Sequence, residues 1–297
     1  MAEDIEVEET VKRKRRFAPV AMLSPGIIWL ILFFLIPLIS LFIKSLSVRP
    51  TRFGNVKFAW EWSNYSTAFT DYGAQFQRSF TYAIIATIIA IFLAFPLAYI
   101  IAFRAGRWKN FWMGIVMVPF FTSFLIRTLA WKTILGSHGP IFSHFVGPNA
   151  TISILPSDFQ VLRTPYAVIG GLVYNFLPFM ILPLYVALEK IDPKLMNVAR
   201  DLYANTFIAF RKIILPMAAP GIFAGSLLVF IPAAGDFVNT YYLGSAKTSM
   251  IGTVVQDQFL RQSNYPVASA LSFIFMLIVV ILFIIYSSIF DAEDLAG

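Results

Sequence analysis

Long apolar runs are the feature that most limits how this chain can fold. An α-helix rises 1.5 Å per residue, so about 20 apolar residues cross the roughly 30 Å hydrocarbon core of a bilayer. Runs close to this length occur at Pro19–Ile43, Phe80–Phe103, Phe111–Leu135, Pro165–Leu188, Pro216–Gly235 and Val267–Phe290. The sequence therefore predicts an all-α polytopic membrane protein with six transmembrane helices in residues 19–290.

The composition agrees with lipid as the main solvent. Charged residues make up only 13% of the 297 residues, against about 25% in a soluble domain. The net charge of +7 is interpreted as a topology feature, since no basic amphipathic face accompanies it. The chain has no cysteine, and His138 and His144 lack neighbouring carboxylates. We predict no metal site and no nucleic-acid partner.

The distribution of Lys and Arg predicts the orientation. Thirteen of the 23 basic residues lie in 12–16, 104–109 and 190–212, which share one side if the runs alternate across the membrane. Basic residues near span ends collect on the cytoplasmic side. Both termini are therefore predicted to be cytoplasmic, with 1–18 a flexible charged tail and 291–297 a second tail. The outer loops are then about 44–79, 136–164 and 236–266.

One polar segment, residues 189–216, interrupts the apolar sequence between the fourth and fifth runs. Asp192-Pro193 predicts a helix start, since Asp is favoured at the N-cap and Pro at the first helical position. A short helix would follow, with an apolar stripe at three- and four-residue spacing: Leu195, Met196, Ala199, Leu202 and Tyr203.

A bend is expected after that helix. Asn205 tolerates left-handed geometry and Thr206 suits a new N-cap, so a second helix is predicted at Phe207–Leu215, ending at Pro216. Two interpretations remain open from the residues alone. The segment is either an interfacial loop on membrane lipid, or a surface that a partner protein contacts around Ala199 and Ala204.

A few polar residues fall inside or beside the apolar runs. A charge such as Arg127 costs roughly 2.5–3.5 kcal/mol at membrane depth, so we expect it to face protein or water as a structural anchor. Asp236 follows a Pro/Gly interruption typical of a helix that lines a cavity, and it either contacts a cation or pairs with Arg127. Tyr174, Asn175 and Phe179 supply hydrogen bonds and cation–π contacts, or simply pack.

The polar segment resembles the EAA loop of binding-protein-dependent ABC importer permeases. In that motif Glu-Ala-Ala is followed by Gly and then by Ile-x-Leu-Pro. Here the corresponding residues are Asn197-Val198-Ala199, Tyr203 and Ile213-x-Leu215-Pro216. Asn197 replaces the Glu, Val198 the first Ala and Tyr203 the Gly, so Asn205 is predicted to take over the bend.

Four further blocks resemble the permease subunits of spermidine/putrescine importers, a polyamine-transporting family. They are Pro119–Trp131, Ala167–Tyr185, Ala224–Phe237 and Asn264–Phe273. The resemblance implies a type I ABC importer permease in a bacterial cytoplasmic (inner) membrane. It further implies that residues in 189–216 couple the chain to an ATPase: Asn197, Val198, Ala199, Arg200, Asp201, Leu202, Tyr203 and Ala204. Asp236, Tyr174, Asn175 and Phe179 are the expected substrate path.

The same resemblance sets the expected partners. No Gly-x-x-x-x-Gly-Lys-Ser/Thr loop occurs, and Gly244–Thr248 is too short for one, so ATP would be used by a separate ABC ATPase dimer and no cofactor bound here. A second homologous permease and an extracytoplasmic substrate-binding protein would complete the importer. Gly221-x-x-x-Gly225 fits close packing either within the chain or against that second permease.

Other functions stay open at this point. The same importer class could carry iron, sulfate, phosphonate or another organic amine. An ion-coupled secondary transporter would need intramembrane acids, of which Asp236 is the one candidate. A membrane enzyme would need clustered His, Asp or Glu near a span end, and the sequence shows none, so the chain is predicted not to be an enzyme.

Overall fold

Apolar helices make up most of the structure, which is a computed structural model of the chain. It describes residues 22–48, 56–137, 139–140, 160–201, 203 and 205–289. The predicted tails 1–18 and 291–297, together with His138 and His144, lie outside these residues. Within 189–216 the same holds for Leu202 and Ala204, and for the side chains of Met196, Asn197, Arg200 and Thr206.

The elements are given in chain order. They are α1 (Met22–Ser45), β1 (Ser47–Val48), β2 (Lys57–Phe58), α2 (Ser63–Arg104), α3 (Lys109–Met117), α4 (Phe124–Ile134), α5 (Pro165–Glu189), α6 (Lys194–Asp201), α7 (Phe207–Ala234), α8 (Val238–Leu243), α9 (Ile251–Gln256) and α10 (Tyr265–Ile289). β1 and β2 form a short antiparallel pair after α1, with Ser47 opposite Phe58. Within the described ranges, five helices are long and apolar enough to cross a membrane: α1, α2, α5, α7 and α10.

The third predicted span is a bent pair of helices. Gly106–Phe121, which contains α3, and α4 are inclined by 86° to each other. Pro119 opens a 3₁₀ turn, and Thr122 and Ser123 are extended, so the helical hydrogen bonding stops there. Counted as one broken span, the pair brings the number of candidate spans to six. The predicted all-α polytopic fold is confirmed.

The second span is longer than predicted. α2 contains 42 residues and begins at Ser63, so residues 63–79 of the expected outer segment 44–79 are helical and continuous with the second span. Residues 63–79 are too polar for an apolar run. One face of them nevertheless packs on α9 and α10, where Ala68 and Phe76 join Ile251 and Leu271 in a small core. The expected loop 236–266 likewise contains α8 and α9.

The main core lies between α2, α5 and α7. A face of α2 made of small residues is fully buried: Ala83, Ala86, Ala90, Ala94 and Ala98. On α7, a Cβ added at Gly221 would lie 2.6 Å from Ala187 Cβ, and one at Gly225 would lie 2.6 Å from Met180 Sδ. The Gly-x-x-x-Gly pair therefore packs against α5 of the same chain.

Candidate coupling segment and buried polar site

The start of segment 189–216 has the predicted cap. Asp192 Oδ1 accepts the backbone N–H of Lys194 at 2.9 Å, and α6 follows directly. This is the N-cap geometry in which a side-chain oxygen satisfies one of the free N–H groups of the first turn. The prediction of a capped helix beginning at Asp192-Pro193 is confirmed.

The bend after α6 differs from the prediction. Tyr203, not Asn205, is left-handed, with φ at 60°. Asn205 instead caps α7, because its Oδ1 accepts the N–H of Ile208 at 2.8 Å. Asn is a better N-cap than Thr, which agrees with the cap at Asn205. The bend therefore stays at the position where the resembling motif has its glycine, and Tyr203 bears the cost of about 1–2 kcal/mol for that backbone.

The second helix of the segment does not end at Pro216. The chain stays helical through a π turn at Phe210–Ile214 and into the fifth span, so α7 is continuous to Ala234. A proline lacks the N–H that an α-helix needs, and the wider π turn directly before Pro216 accommodates the interruption. The segment is thus rigidly joined to the fifth span.

The surface of the segment also differs from the prediction. Ala199 is only 4% exposed and packs against the chain's own interior, so it is not an accessible contact point. Val198 is 53% exposed and Tyr203 is 98% exposed, and Leu195 and Phe207 are exposed as well. A partner would meet these larger apolar side chains, together with the exposed Asp201.

An ion pair lies at the same end of the bundle. Lys109 Nζ is 3.4 Å from Glu189 Oε1, which also accepts the Tyr185 hydroxyl at 2.7 Å. This contact ties the start of α3 to the end of α5, immediately before segment 189–216. The two regions that the Lys/Arg distribution assigns to one side are therefore neighbours.

A buried group of polar side chains lies where α4, α5 and α8 meet. Asn175 on α5 donates from Nδ2 to Asn239 Oδ1 at 3.0 Å and to Thr128 Oγ1 at 3.3 Å. The Thr128 hydroxyl is also 3.4 Å from Asn239 Oδ1, and Asp236 Oδ1 accepts the Asn239 N–H at 2.8 Å. We call these four residues the Asn239 network. All four are buried, Asn175 to 1% exposure and Asn239 to 0%.

A glycine makes room for this network. A Cβ on Gly171 would lie 2.7 Å from Asn239 Oδ1 and 2.5 Å from Leu243 Cδ1. Both distances are shorter than ordinary contacts, so a side chain at this position would force the Leu243 and Asn239 side chains, or α8 with them, to shift. Gly171 therefore allows Asn239 to reach Asn175 across the helix interface.

Arg127 is buried beside this network, as predicted for an intramembrane charge. Its guanidinium lies 5.8 Å from the centre of the Phe124 ring, and its Nε and Nη1 have no hydrogen-bond partner in the structure as described. Among the described residues, no ion pair joins Arg127 to Asp236. Of the two interpretations of Asp236, direct pairing with Arg127 is not the arrangement seen.

The aromatic candidates connect α5 to the bent pair. Tyr174 packs edge-on against Trp131 at 5.3 Å between ring centres, and Phe179 against Phe120 at 5.2 Å. Both are partly exposed, unlike Asn175 between them. The structure thus brings Asn175 and Asp236 into one network and places Tyr174 and Phe179 along the same helix.

Thr128 and Asn239 are site residues that the sequence pattern does not identify. Thr128 follows Arg127, and Asn239 stands three residues after Asp236, where an acid that caps a helix finds its N–H donor. That spacing was a usable indication of α8. Its partners, however, are 64 and 111 residues away along the chain. A local sequence pattern cannot predict contacts between residues so far apart in the chain.

Together, these observations define a polytopic helical permease with a rigid polar segment at one end. The chain belongs to the family of inner membrane components of binding-protein-dependent transport systems, whose sequence profile matches residues 94–292. It is 39% identical over 261 residues to the spermidine/putrescine transport system permease protein PotB of Haemophilus influenzae, spanning 87% of this chain and 89% of that one. Against PotB of Escherichia coli it is 33% identical over 259 residues, 87% and 92% of the two chains.

Two solved structures share the fold. One is a bacterial ABC transporter that imports the acidic polysaccharide alginate, with a TM-score of 0.66 at 18% identity over 96% of this chain and 98% of that one. The other is the alginate transporter in complex with an alginate-pentasaccharide-bound periplasmic protein, with a TM-score of 0.67 at 19% identity over 96% and 97%. The predicted recognition is confirmed: the chain is a multi-pass inner membrane permease of an ABC importer and not an enzyme.

Proposed function

We propose that this chain forms half of the translocation pathway of an ATP-driven importer for a polyamine such as spermidine or putrescine. The observation that carries the proposal is the 39% identity to a spermidine/putrescine permease over 89% of that protein's length. The family profile match at residues 94–292 includes the segment between the fourth and fifth spans and the Asn239 network. Both termini are cytoplasmic in this proposal.

Segment 189–216 is the ATPase-coupling element. Caps at Asp192 and Asn205 fix the N-terminal starts of α6 and α7, and α7 continues without interruption into the fifth span. A separate ABC ATPase dimer would contact the exposed face of Leu195, Val198 and Tyr203. Closure of that dimer on ATP would pull the segment and, through α7, move the helices around the pathway.

Two more partners complete the importer. A second homologous permease supplies the other half of the pathway, and the exposed apolar side chains on α1, α4 and α7 face either lipid or that permease. An extracytoplasmic binding protein delivers the cargo to the outer segments. Trp60 and Trp62 are exposed in the first of these segments, and Gly244–Arg261 lies in the predicted outer segment 236–266.

Asp236 is the proposed cargo contact. A polyamine carries ammonium groups, which a carboxylate attracts strongly in a site shielded from water. One oxygen of Asp236 is held by the Asn239 N–H, and no basic side chain of the described residues forms an ion pair with it. Asn175, Tyr174 and Phe179 continue the path along α5 with an amide and two aromatic faces.

The test is transport by the complete importer in proteoliposomes. Permeases, ATPase and binding protein are purified together, and uptake of radiolabelled spermidine and putrescine is measured with and without ATP inside. We expect ATP-dependent uptake of the polyamines that is not inhibited by an excess of iron, sulfate, phosphonate or unrelated amines. Import of one of those cargoes without any polyamine uptake would reject the polyamine assignment and retain the importer class.

A further inference from the structure

We propose that Asn239 is a positioning residue that links the orientation of the Asp236 carboxylate to the position of α4, the second half of the broken third span. Its backbone N–H holds Asp236, and its side chain contacts Thr128 on α4 and Asn175 on α5. The inference rests on the proposed function, since Asp236 matters here as the cargo contact. It adds Thr128 and Asn239 to the residues that control transport.

The geometry gives one residue three separate connections. The 2.8 Å bond from Asn239 N to Asp236 Oδ1 is local and forms the first turn of α8. The 3.0 Å bond from Asn175 Nδ2 crosses to the most buried span, and the 3.4 Å contact with the Thr128 hydroxyl crosses to α4. Displacement of α4 or α5 therefore acts on the same residue that orients the carboxylate.

α4 is joined to the rest of the third span by a sharply bent connection. It has only 11 residues, is inclined by 86° to the preceding helix, and is joined to it through the extended Thr122 and Ser123. A short helix on such a joint can reorient as a rigid body by changes in a few backbone angles. Its buried polar contact with the rest of the network is made by Thr128, whose movement would break the bonds to Asn175 and Asn239.

The network is also incompletely paired. Asn175 Oδ1 and Asn239 Nδ2 are buried and have no hydrogen-bond partner in the part of the chain described here. Buried amide groups are almost always paired, because an unmade bond in a low-dielectric interior is costly. One free acceptor beside one free donor means that these side chains have the capacity to pair differently when α4 shifts. Two alternative arrangements of one set of bonds provide a two-state element.

The experiment uses the complete importer with four variants of this chain. Thr128→Val removes the hydroxyl at nearly constant shape, Asn239→Ala removes the amide but keeps the N–H to Asp236, and the third variant combines both. Thr128→Ser keeps a hydroxyl and is the matched control. ATP hydrolysis is measured without cargo and with the spermidine-loaded binding protein, and the midpoint of thermal denaturation is recorded for each complex.

We expect each single variant to raise hydrolysis without cargo and to lower the cargo-stimulated to basal ratio by about fivefold, the lower range of coupling between linked sites. The double variant should lose no more than either single one, since both remove the same connection. Thr128→Ser should retain the wild-type ratio. Losses that multiply in the double variant, or an unchanged ratio with a lowered midpoint, would show a merely structural role and overturn the proposal.

Failure of the proposed function gives a different result. If Asp236→Asn imports spermidine normally, the cargo contact is misassigned, and with it the link from Asn239 to cargo. The hydrolysis rates without cargo still test the connection between α4 and α8, because they involve no polyamine. Additive effects on that basal rate would reject the network even if spermidine proves to be the cargo.

Discussion

Two adjacent glycines on α5 give a sharp test of how closely α8 must approach. Gly170 is exposed, and a Cβ added there meets nothing within 4 Å. At Gly171 a Cβ would lie 2.5 Å from Leu243 Cδ1 and 2.7 Å from Asn239 Oδ1. Alanine at either position removes the same helix-propensity penalty of about 1 kcal/mol, so the difference between the two variants isolates the contact with α8.

The magnitude follows from these distances. Leu243 Cδ1 is the end of a flexible side chain and can turn away. Asn239 Oδ1 is held by Asn175 and Thr128 and must move with α8. Overpacking of this kind costs about 1–3 kcal/mol. Gly170→Ala should therefore stabilise the protein by up to about 1 kcal/mol, whereas Gly171→Ala should be less stable than Gly170→Ala by about 1–3 kcal/mol.

The assay is thermal denaturation of the purified importer, supplemented by spermidine-stimulated ATP hydrolysis. For a chain of this size, 1 kcal/mol corresponds to roughly 2–4 °C in midpoint. Gly171→Ala should have the lower midpoint and reduced stimulation, and Gly170→Ala should equal or exceed the parent in both. Equal behaviour of the two variants would refute the close packing of α8 on α5.

Three further substitutions test other parts of the molecule. Asp236→Asn keeps an oxygen for the Asn239 N–H but removes the charge. Spermidine uptake should therefore fall at least about tenfold while complex assembly is retained. Normal uptake would exclude Asp236 from the substrate path. Val198→Glu places a charge on the exposed face of α6 and should reduce co-purification of the ATPase, whereas Val186→Glu, on the exposed surface of α5, should leave ATPase capture intact if the complex inserts. Tyr203→Gly relieves the left-handed backbone and should raise the thermal midpoint relative to Tyr203→Ala, because alanine keeps the Cβ clash; equal midpoints would mean that φ at this residue is not strained.

Features set by local composition were predictable from the sequence. The fourth and sixth runs correspond closely to α5 and α10, and the fifth run lies within the longer α7, because an apolar stretch of membrane length must form a helix whatever its neighbours. The cap at Asp192 is equally local. Family membership followed from motif spacing, in which the departures at Asn197, Val198 and Tyr203 did not obscure the pattern.

Features set by long-range packing were not predictable. The 86° bend at Thr122-Ser123 divides a run that is apolar on both sides, so the hydropathy profile does not show the bend. The polar start of α2 is helical because Phe76 finds partners on α9 and α10. Ala199 looked accessible in a polar segment, and only the packing of α6 shows that it faces inward.

The length of α2 has a mechanical consequence. Its 42 residues correspond to about 63 Å of helix, well beyond the roughly 40–45 Å thickness of a whole bilayer. Within the N-terminal half of α2, Ser79 Oγ accepts the N–H of Ile251 on α9 at 2.8 Å, and the C-terminal end of α2 leads to Lys109 and its ion pair with Glu189. α2 therefore joins the two ends of the helix bundle as one continuous helix, so a displacement near Ser63 can be transmitted to Arg104 without passing through an intervening loop.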